Sequence, residues 1–211
     1  YVGAHIAAVA GVKDTPFNPL GESADTFSEL AQKTFPVLDD AAGNEMQQLI
    51  LAAKQSCDSV GGVIECMVIN LPAGIGAPFF DSLESRLAHA LFSVPAVKGI
   101  EFGKGFALTQ MTGSEANDQM YYDNGVVKTY TNNNGGITGG ITNGMPVLFK
   151  AAVKPTPSIA KVQKTVDLST ESNTELVITG RHDPCIVQRA VPVIEGVAAW
   201  VILDMLLAGE K

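Results

Sequence analysis

Asp81-Ser-Leu-Glu-Ser-Arg-Leu-Ala-His-Ala-Leu-Phe-Ser-Val-Pro-Ala-Val-Lys-Gly-Ile-Glu-Phe102 joins both kinds of regular structure in one step. Asp81 is a good N-cap, and Leu83, Leu87, Ala90 and Leu91 recur at helical spacing, which predicts a helix with one buried stripe. Pro95 closes that region, and Val97–Phe102 reads as a strand. Upstream, Val63–Leu71 is a second strand, with Val63, Met67 and Ile69 on one face. Before it, Asp39 or Asp40 caps a helix over Ala41–Ser59, ended by Gly61-Gly62. Residues 2–12 are small and apolar, as in a strand. Lys13–Pro36 carries Pro16, Pro19, Gly21 and Pro36 and reads mainly as loop. Downstream, residues 103–124 are mixed and polar. Val147–Val153, Gln163–Leu168 and Glu175–Thr179 read as strands. Pro192 suits the first turn of a long helix ending near Ala208. Strands arrive both in pairs and between helices. That pattern predicts an α+β layered fold rather than a strict βαβ winding, with residues 1–211 as a single domain.

The 211 residues are 46% hydrophobic and 17% charged, enough apolar side chain for a sizeable core. Acids outnumber bases 22 to 14, for a net charge of −8. Only three of the bases are arginines, Arg86, Arg181 and Arg189. So little basic charge argues against a nucleic-acid partner. Val191–Ala208 is the most apolar stretch, but Glu195 and Asp204 interrupt it, so no membrane partner is expected. Cys57, Cys66 and Cys185 make an odd count without C-x-x-C, which argues for packed thiols in a reducing cytoplasm. His5, His89 and His182 show no metal-ligand spacing, and no metal is expected. His5 reads as a structural residue in a strand, and His89 as a partly exposed helix residue. Tyr1–Ala10 has neither an initiator Met nor a basic leader and reads as the middle of a strand, so a preceding piece of chain is expected.

Neither G-x-x-x-x-G-K-[ST] nor G-x-G-x-x-G occurs, and there is no G-x-S-x-G or H-E-x-x-H. Three segments could carry chemistry. Asn132–Gly144 packs five glycines and four asparagines into 13 residues. Backbone N–H groups there can approach a ligand closely, although a pair of tight turns would use the same residues. Lys154-Pro-Thr-Pro-Ser158 offers one cation and two hydroxyls on a proline-stiffened backbone, suited to phosphate at little ordering cost. The alternative is a strand-end loop with a solvated lysine. Arg181-His-Asp183 brings a planar guanidinium next to a carboxylate that could act as acid or base. The alternative there is an Arg–Asp ion pair closing a turn.

These segments, in order, resemble the chorismate synthase family. The matching text is Gly61-Gly-Val-Ile-Glu-Cys66; Leu71-Pro-Ala-Gly-Ile-Gly76; Leu87-Ala-His-Ala-Leu91 leading to Val94-Pro-Ala-Val-Lys-Gly99; Gly113-Ser-Glu115 with Asn117-Asp118; Asn132–Gly144; Lys154–Ile159; and Gly180-Arg-His-Asp-Pro-Cys185 running on to Arg189-Ala-Val-Pro192 and Glu195. The resemblance is strong over residues 61–207 and weak before them. It implies helices sandwiched between antiparallel β-sheets in a homotetramer, or a dimer for this length of chain. The implied activity is loss of phosphate and a proton from 5-enolpyruvylshikimate 3-phosphate to give chorismate. Reduced FMN is the implied cofactor, and NADP is associated with the family.

Residue by residue, the resemblance assigns Ala96, Gly139, Lys154, Pro155, Thr156, Pro157, Ser158 and Arg181 to the flavin. Arg181 also faces the substrate, and Asp183 manages a proton near flavin N5. Pro95 stands where many members have Asn, which leaves backbone or packing contact at that position. Thr138 and Asn134 are polar replacements for the usual Leu and Ala. The family's Arg-His-Gly-Glu-Ser-His-Gly-type segment, its Arg-Ser-Ser segment and several substrate arginines have no counterpart here. The expectation is therefore the C-terminal part of such an enzyme, inactive or nearly so alone. A non-catalytic flavin-binding or assembly module is the alternative. Apart from the resemblance, a phosphate-ester hydrolase using Asp183 is a third reading.

Overall fold

The computed structural model describes residues 1–180 and 182–209. Its strands are β1 (Val2–Val9), β2 (Val12–Lys13), β3 (Gly62–Val68), β4 (Val97–Phe102), β5 (Met120–Asp123), β6 (Val126–Thr129), β7 (Ile137–Thr138), β8 (Ile141–Thr142), β9 (Val147–Val153), β10 (Gln163–Asp167) and β11 (Ser172–Leu176). The α-helices are α1 (Ala24–Gln32), α2 (Asp40–Gln55), α3 (Leu83–Phe92), the short α4 (Gly113–Ala116) and α5 (Val187–Gly209). A 3-10 helix spans Gly105–Gln110. Five strands form one antiparallel sheet in the order β2-β1-β3-β9-β4. The pairs β5-β6, β7-β8 and β10-β11 are separate two-stranded ribbons. The α+β class with antiparallel sheets and helices is as expected.

Side-chain alternation assigns the two faces of the sheet. Ile64, Cys66, Val68, Val147, Phe149 and Ala151 pack with Met46 of α2, Leu83, Leu87 and Leu91 of α3, and Val187, Val191, Ile194 and Ala198 of α5. On the other face Met67 and Leu148 meet Phe17, Phe27 and Leu30, from the 14–23 segment and α1. The largest core therefore lies under the helix layer, and the second face is covered only in part.

Several local readings differ from the structure, the helical ones as follows. α1 lies inside the stretch read as loop. It is short, only Phe27 and Leu30 are buried, and Ser23 caps it by accepting the Thr26 N–H. α2 ends at Gln55 rather than running to Ser59. Cys57 takes the left-handed conformation (φ 56°), with Asp58 N–H bonded to Ala53 O and Cys57 N–H to Lys54 O. This is the Schellman closure that glycine usually makes. α3 is capped by Ser82, one residue later than Asp81. α5 begins at Val187, so Pro192 lies inside it rather than in its first turn.

Among the described residues α5 alone is long and apolar enough to cross a membrane by length and composition. One of its faces is instead core, with Ile194 and Ala198 fully buried. The other face leaves Trp200, Leu203 and Leu207 exposed.

Candidate functional site

Two of the three candidate segments meet at the end of β9 where Val153 leads into Lys154. Ala96, at a left-handed φ of 72°, accepts the Lys154 N–H through its carbonyl at 2.9 Å. The segment Asp58–Gly61 acts as a strut under both chemical loops. Ser59 Oγ donates to Thr156 O at 2.6 Å, and Lys161 Nζ pairs with Asp58 at 2.6 Å. That lysine, with the Ser59 N–H, holds the Asp58 carboxyl below its ordinary range. On the other side Val60 N–H donates to Pro184 O at 2.8 Å. Gly61 runs so close to the 153–155 backbone that a Cβ would lie 2.9 Å from Pro155 Cδ.

The proline-stiffened loop and the 182–185 turn therefore share one support. A cavity of about 240 Å³ lies beside the turn, lined by Gly180, His182 and Pro184, by Ile159 and Ala160 just after the loop, and by Lys54, Cys57 and Asp58. Within the loop Lys154 is exposed, whereas Thr156 Oγ1 is buried without a hydrogen-bond partner among the described residues. His182 is tied by Nε2 to Ile178 O at 2.9 Å. Asp183 forms a close ion pair with Arg189. The ion pair foreseen at this turn thus exists, with Arg189 as the described cation; Arg181 lies outside the described residues.

Gly139 does not join this group. It is exposed at the β7-β8 turn, and its neighbour Gly140 sits over Ser82 and accepts the Leu83 N–H. That turn lies toward the Val147 end of β9, and seven residues of strand span about 20 Å. The Asn-rich segment before it is organised from below by Asp118. That carboxylate accepts hydrogen bonds from the Asn133 and Asn134 N–H groups, the Asn134 side chain and Thr131 Oγ1. Burial opposes the charge on Asp118, but these donors outweigh it and lower its pKa. Its role is to fix the loop.

A further polar constellation lies outside the three candidate segments. His5, Glu65, Lys150 and Glu101 are register partners across β1, β3, β9 and β4, forming one row on the face opposite the helix layer. His5 and Glu65 are buried. His5 Nδ1 meets Asp14 at 2.9 Å and Nε2 meets Glu65 at 3.1 Å. Burial pulls the His5 pKa down, but the two carboxylates outweigh it and the net shift is upward. Asp14 shifts downward: burial opposes this, but His5 and the Leu38 and Asp39 N–H groups prevail. The available signal was Glu65 itself, a single acid inside an otherwise apolar strand. Of the thiols, Cys66 and Cys185 are packed as expected and burial raises both pKa values, whereas Cys57 is exposed. His89 is exposed, more open than expected.

The sequence model of the chorismate synthase family matches residues 1–207. A chorismate synthase from Dehalococcoides mccartyi (strain ATCC BAA-2100 / JCM 16839 / KCTC 5957 / BAV1) is 47% identical over 188 residues, covering 89% of this chain and 52% of that protein. One from Methanocella arvoryzae is 44% identical over 212 residues, covering 99% and 55%. A crystal structure of a chorismate synthase superposes with a TM-score of 0.78 at 25% identity, covering 99% of this chain and 57% of that one. The chain spans about half the length of the curated relatives it matches. Since the family match runs through the whole sheet and the helix layer, this chain belongs to the chorismate synthase family.

Proposed function

We propose that this chain forms one wall of a reduced-FMN site and takes part in eliminating phosphate and a proton from 5-enolpyruvylshikimate 3-phosphate to give chorismate. The observation that carries the reading is the convergence of Lys154–Ser158 and the His182–Cys185 turn on the single strut Asp58–Gly61. The residues fit a flavin nucleotide: the Thr156 hydroxyl is buried and has no partner among the described residues, and the Lys154 cation stands exposed two residues away. Lys154, Thr156, Ser158 and Arg181 would hold the cofactor, while Ala96, Pro155 and Pro157 would shape the surface against it. Gly139 is not assigned to this wall. When bound, reduced FMN lends electron density that helps the phosphate leave. Asp183, oriented by Arg189, holds or moves the proton near flavin N5.

Charge limits what the chain does alone. The substrate brings a phosphate and two carboxylates, whereas this chain has a net charge of −8 and three arginines. An anion of that kind needs convergent guanidinium and ammonium groups. The remaining length of the relatives would supply them, in a homotetramer whose second antiparallel sheet covers the apolar outer face of α5. The test is chorismate formation from 5-enolpyruvylshikimate 3-phosphate with reduced FMN under anaerobic conditions. This chain alone is expected to give little or no turnover, and addition of the N-terminal half of a full-length relative is expected to restore it. Turnover by the chain alone near that of a full-length relative would refute the incomplete-site reading. Tight FMN binding, followed by fluorescence quenching, with no turnover even after that addition would favour a non-catalytic flavin module.

A further inference from the structure

On the face of the sheet away from the helix layer, a cavity of about 720 Å³ opens over the Glu65–Lys150–Glu101 end of the polar row. The volume suits a small molecule. Its floor is unfinished. Glu65 is only 1% exposed, and its Oε2 accepts from the Phe17 N–H and meets His5. Its Oε1 faces Lys150 Nζ at 3.7 Å, and Glu101 Oε1 lies 3.9 Å from the same ammonium. Both separations are ion-pair contacts, too long for hydrogen bonds. Lys150 Nζ makes no hydrogen bond among the described residues, and neither does Glu65 Oε1. Both groups line the cavity, so an occupant could complete them with hydrogen bonds.

The lining also dictates the occupant's charge. Glu65, Lys150, Glu101 and Lys104 alternate in sign and cancel, so a ligand with net charge would gain little. A ligand carrying both signs could offer donors to the two carboxylates and acceptors to the two ammonium groups. Around this floor stand apolar walls, among them Leu20, Met111 and Tyr130, with room for a large hydrophobic group. An α-amino acid carries its ammonium and carboxylate on one carbon, with the side chain pointing away from both. We propose that this cavity binds a free α-amino acid with a large apolar side chain: its ammonium between Glu65 and Glu101, its carboxylate on Lys150 and Lys104, and its side chain against Met111 and Tyr130.

The site is separate from the proposed flavin wall and does not depend on that assignment. Isothermal titration calorimetry of the chain with L-phenylalanine tests it, with 3-phenylpropionate and 2-phenylethylamine as analogues lacking one charge each. Saturable binding of phenylalanine is expected, with each analogue weaker by roughly tenfold or more, the worth of one charge-assisted contact. Lys150→Met is expected to weaken binding to a similar degree. Glu101→Gln provides a second variant, because that side chain is one-third exposed and not part of the core. It too is expected to lose roughly tenfold. No saturable heat at millimolar phenylalanine, equal binding of 3-phenylpropionate, or unchanged affinity in Glu101→Gln would each overturn the proposal.

Discussion

Two carboxylates hold the His5 imidazole, which makes its protonation a stabilising event. Its folded pKa lies above the ordinary 6.5, so its contribution is complete below that value. The contribution is lost as pH rises through the raised folded pKa. Asp14 behaves oppositely: its folded pKa lies below 3.8, so its contribution is present above that value and disappears as pH falls through the lowered one. Urea denaturation across pH is therefore expected to show stability declining on both flanks. His5→Gln should abolish the alkaline decline and also weaken the acid one, since His5 is the foremost of the groups that lower Asp14; an unchanged alkaline flank would refute the assignment. Gly61 carries a second prediction at this scale. Gly61→Ala must push apart the strut and Pro155, so a loss of about 1–3 kcal/mol is expected from overpacking. A denaturation midpoint matching that of the unaltered chain would show that the two backbones are not in contact. Beyond the lone acid Glu65 in an apolar strand, neither contact was legible in the sequence. The partners of His5 lie 9 and 60 residues away, and the Gly61 contact depends on a strand end roughly a hundred residues later.

Among the elements, α5 is the most informative. Ile194 is fully buried beneath it, while Leu203 is 54% exposed on its other face. Ile194→Ala should cost about 2–5 kcal/mol, as a cavity in a packed core does. Leu203→Ala should change the stability of this chain little. Equal losses from the two would contradict the one-sided packing. Elements with a strong apolar pattern were readable in advance: the stripe Leu83, Leu87 and Leu91, strand Val97–Phe102 and strand Val147–Val153 all appear as expected. α1 escaped because prolines and Gly21 dominate its surroundings and only two of its side chains reach the core. The last strand is Ser172–Leu176, not Glu175–Thr179. Every residue of it is exposed, so no buried face fixed its register in the sequence pattern.

At the scale of the molecule, the sheet carries two unequal faces, and the proposed flavin wall stands at one of its ends. The resemblance in sequence named Lys154–Ser158 and Asp183, and folding brings those two segments onto one strut. Gly139 could not be sorted from them by sequence, because the strand separating it from Lys154 becomes a distance only when folded. The alternating row His5–Glu65–Lys150–Glu101 is likewise a product of strand register, with its members scattered through the chain. The most direct test of the flavin wall is titration of isotope-labelled chain with reduced FMN, followed by amide chemical shifts. The account predicts perturbations concentrated at Ala96, Lys154–Ser158 and His182–Asp183, with Gly139 unaffected. Shifts confined to the Gly139 turn, or none at the Lys154–Ser158 loop, would contradict it.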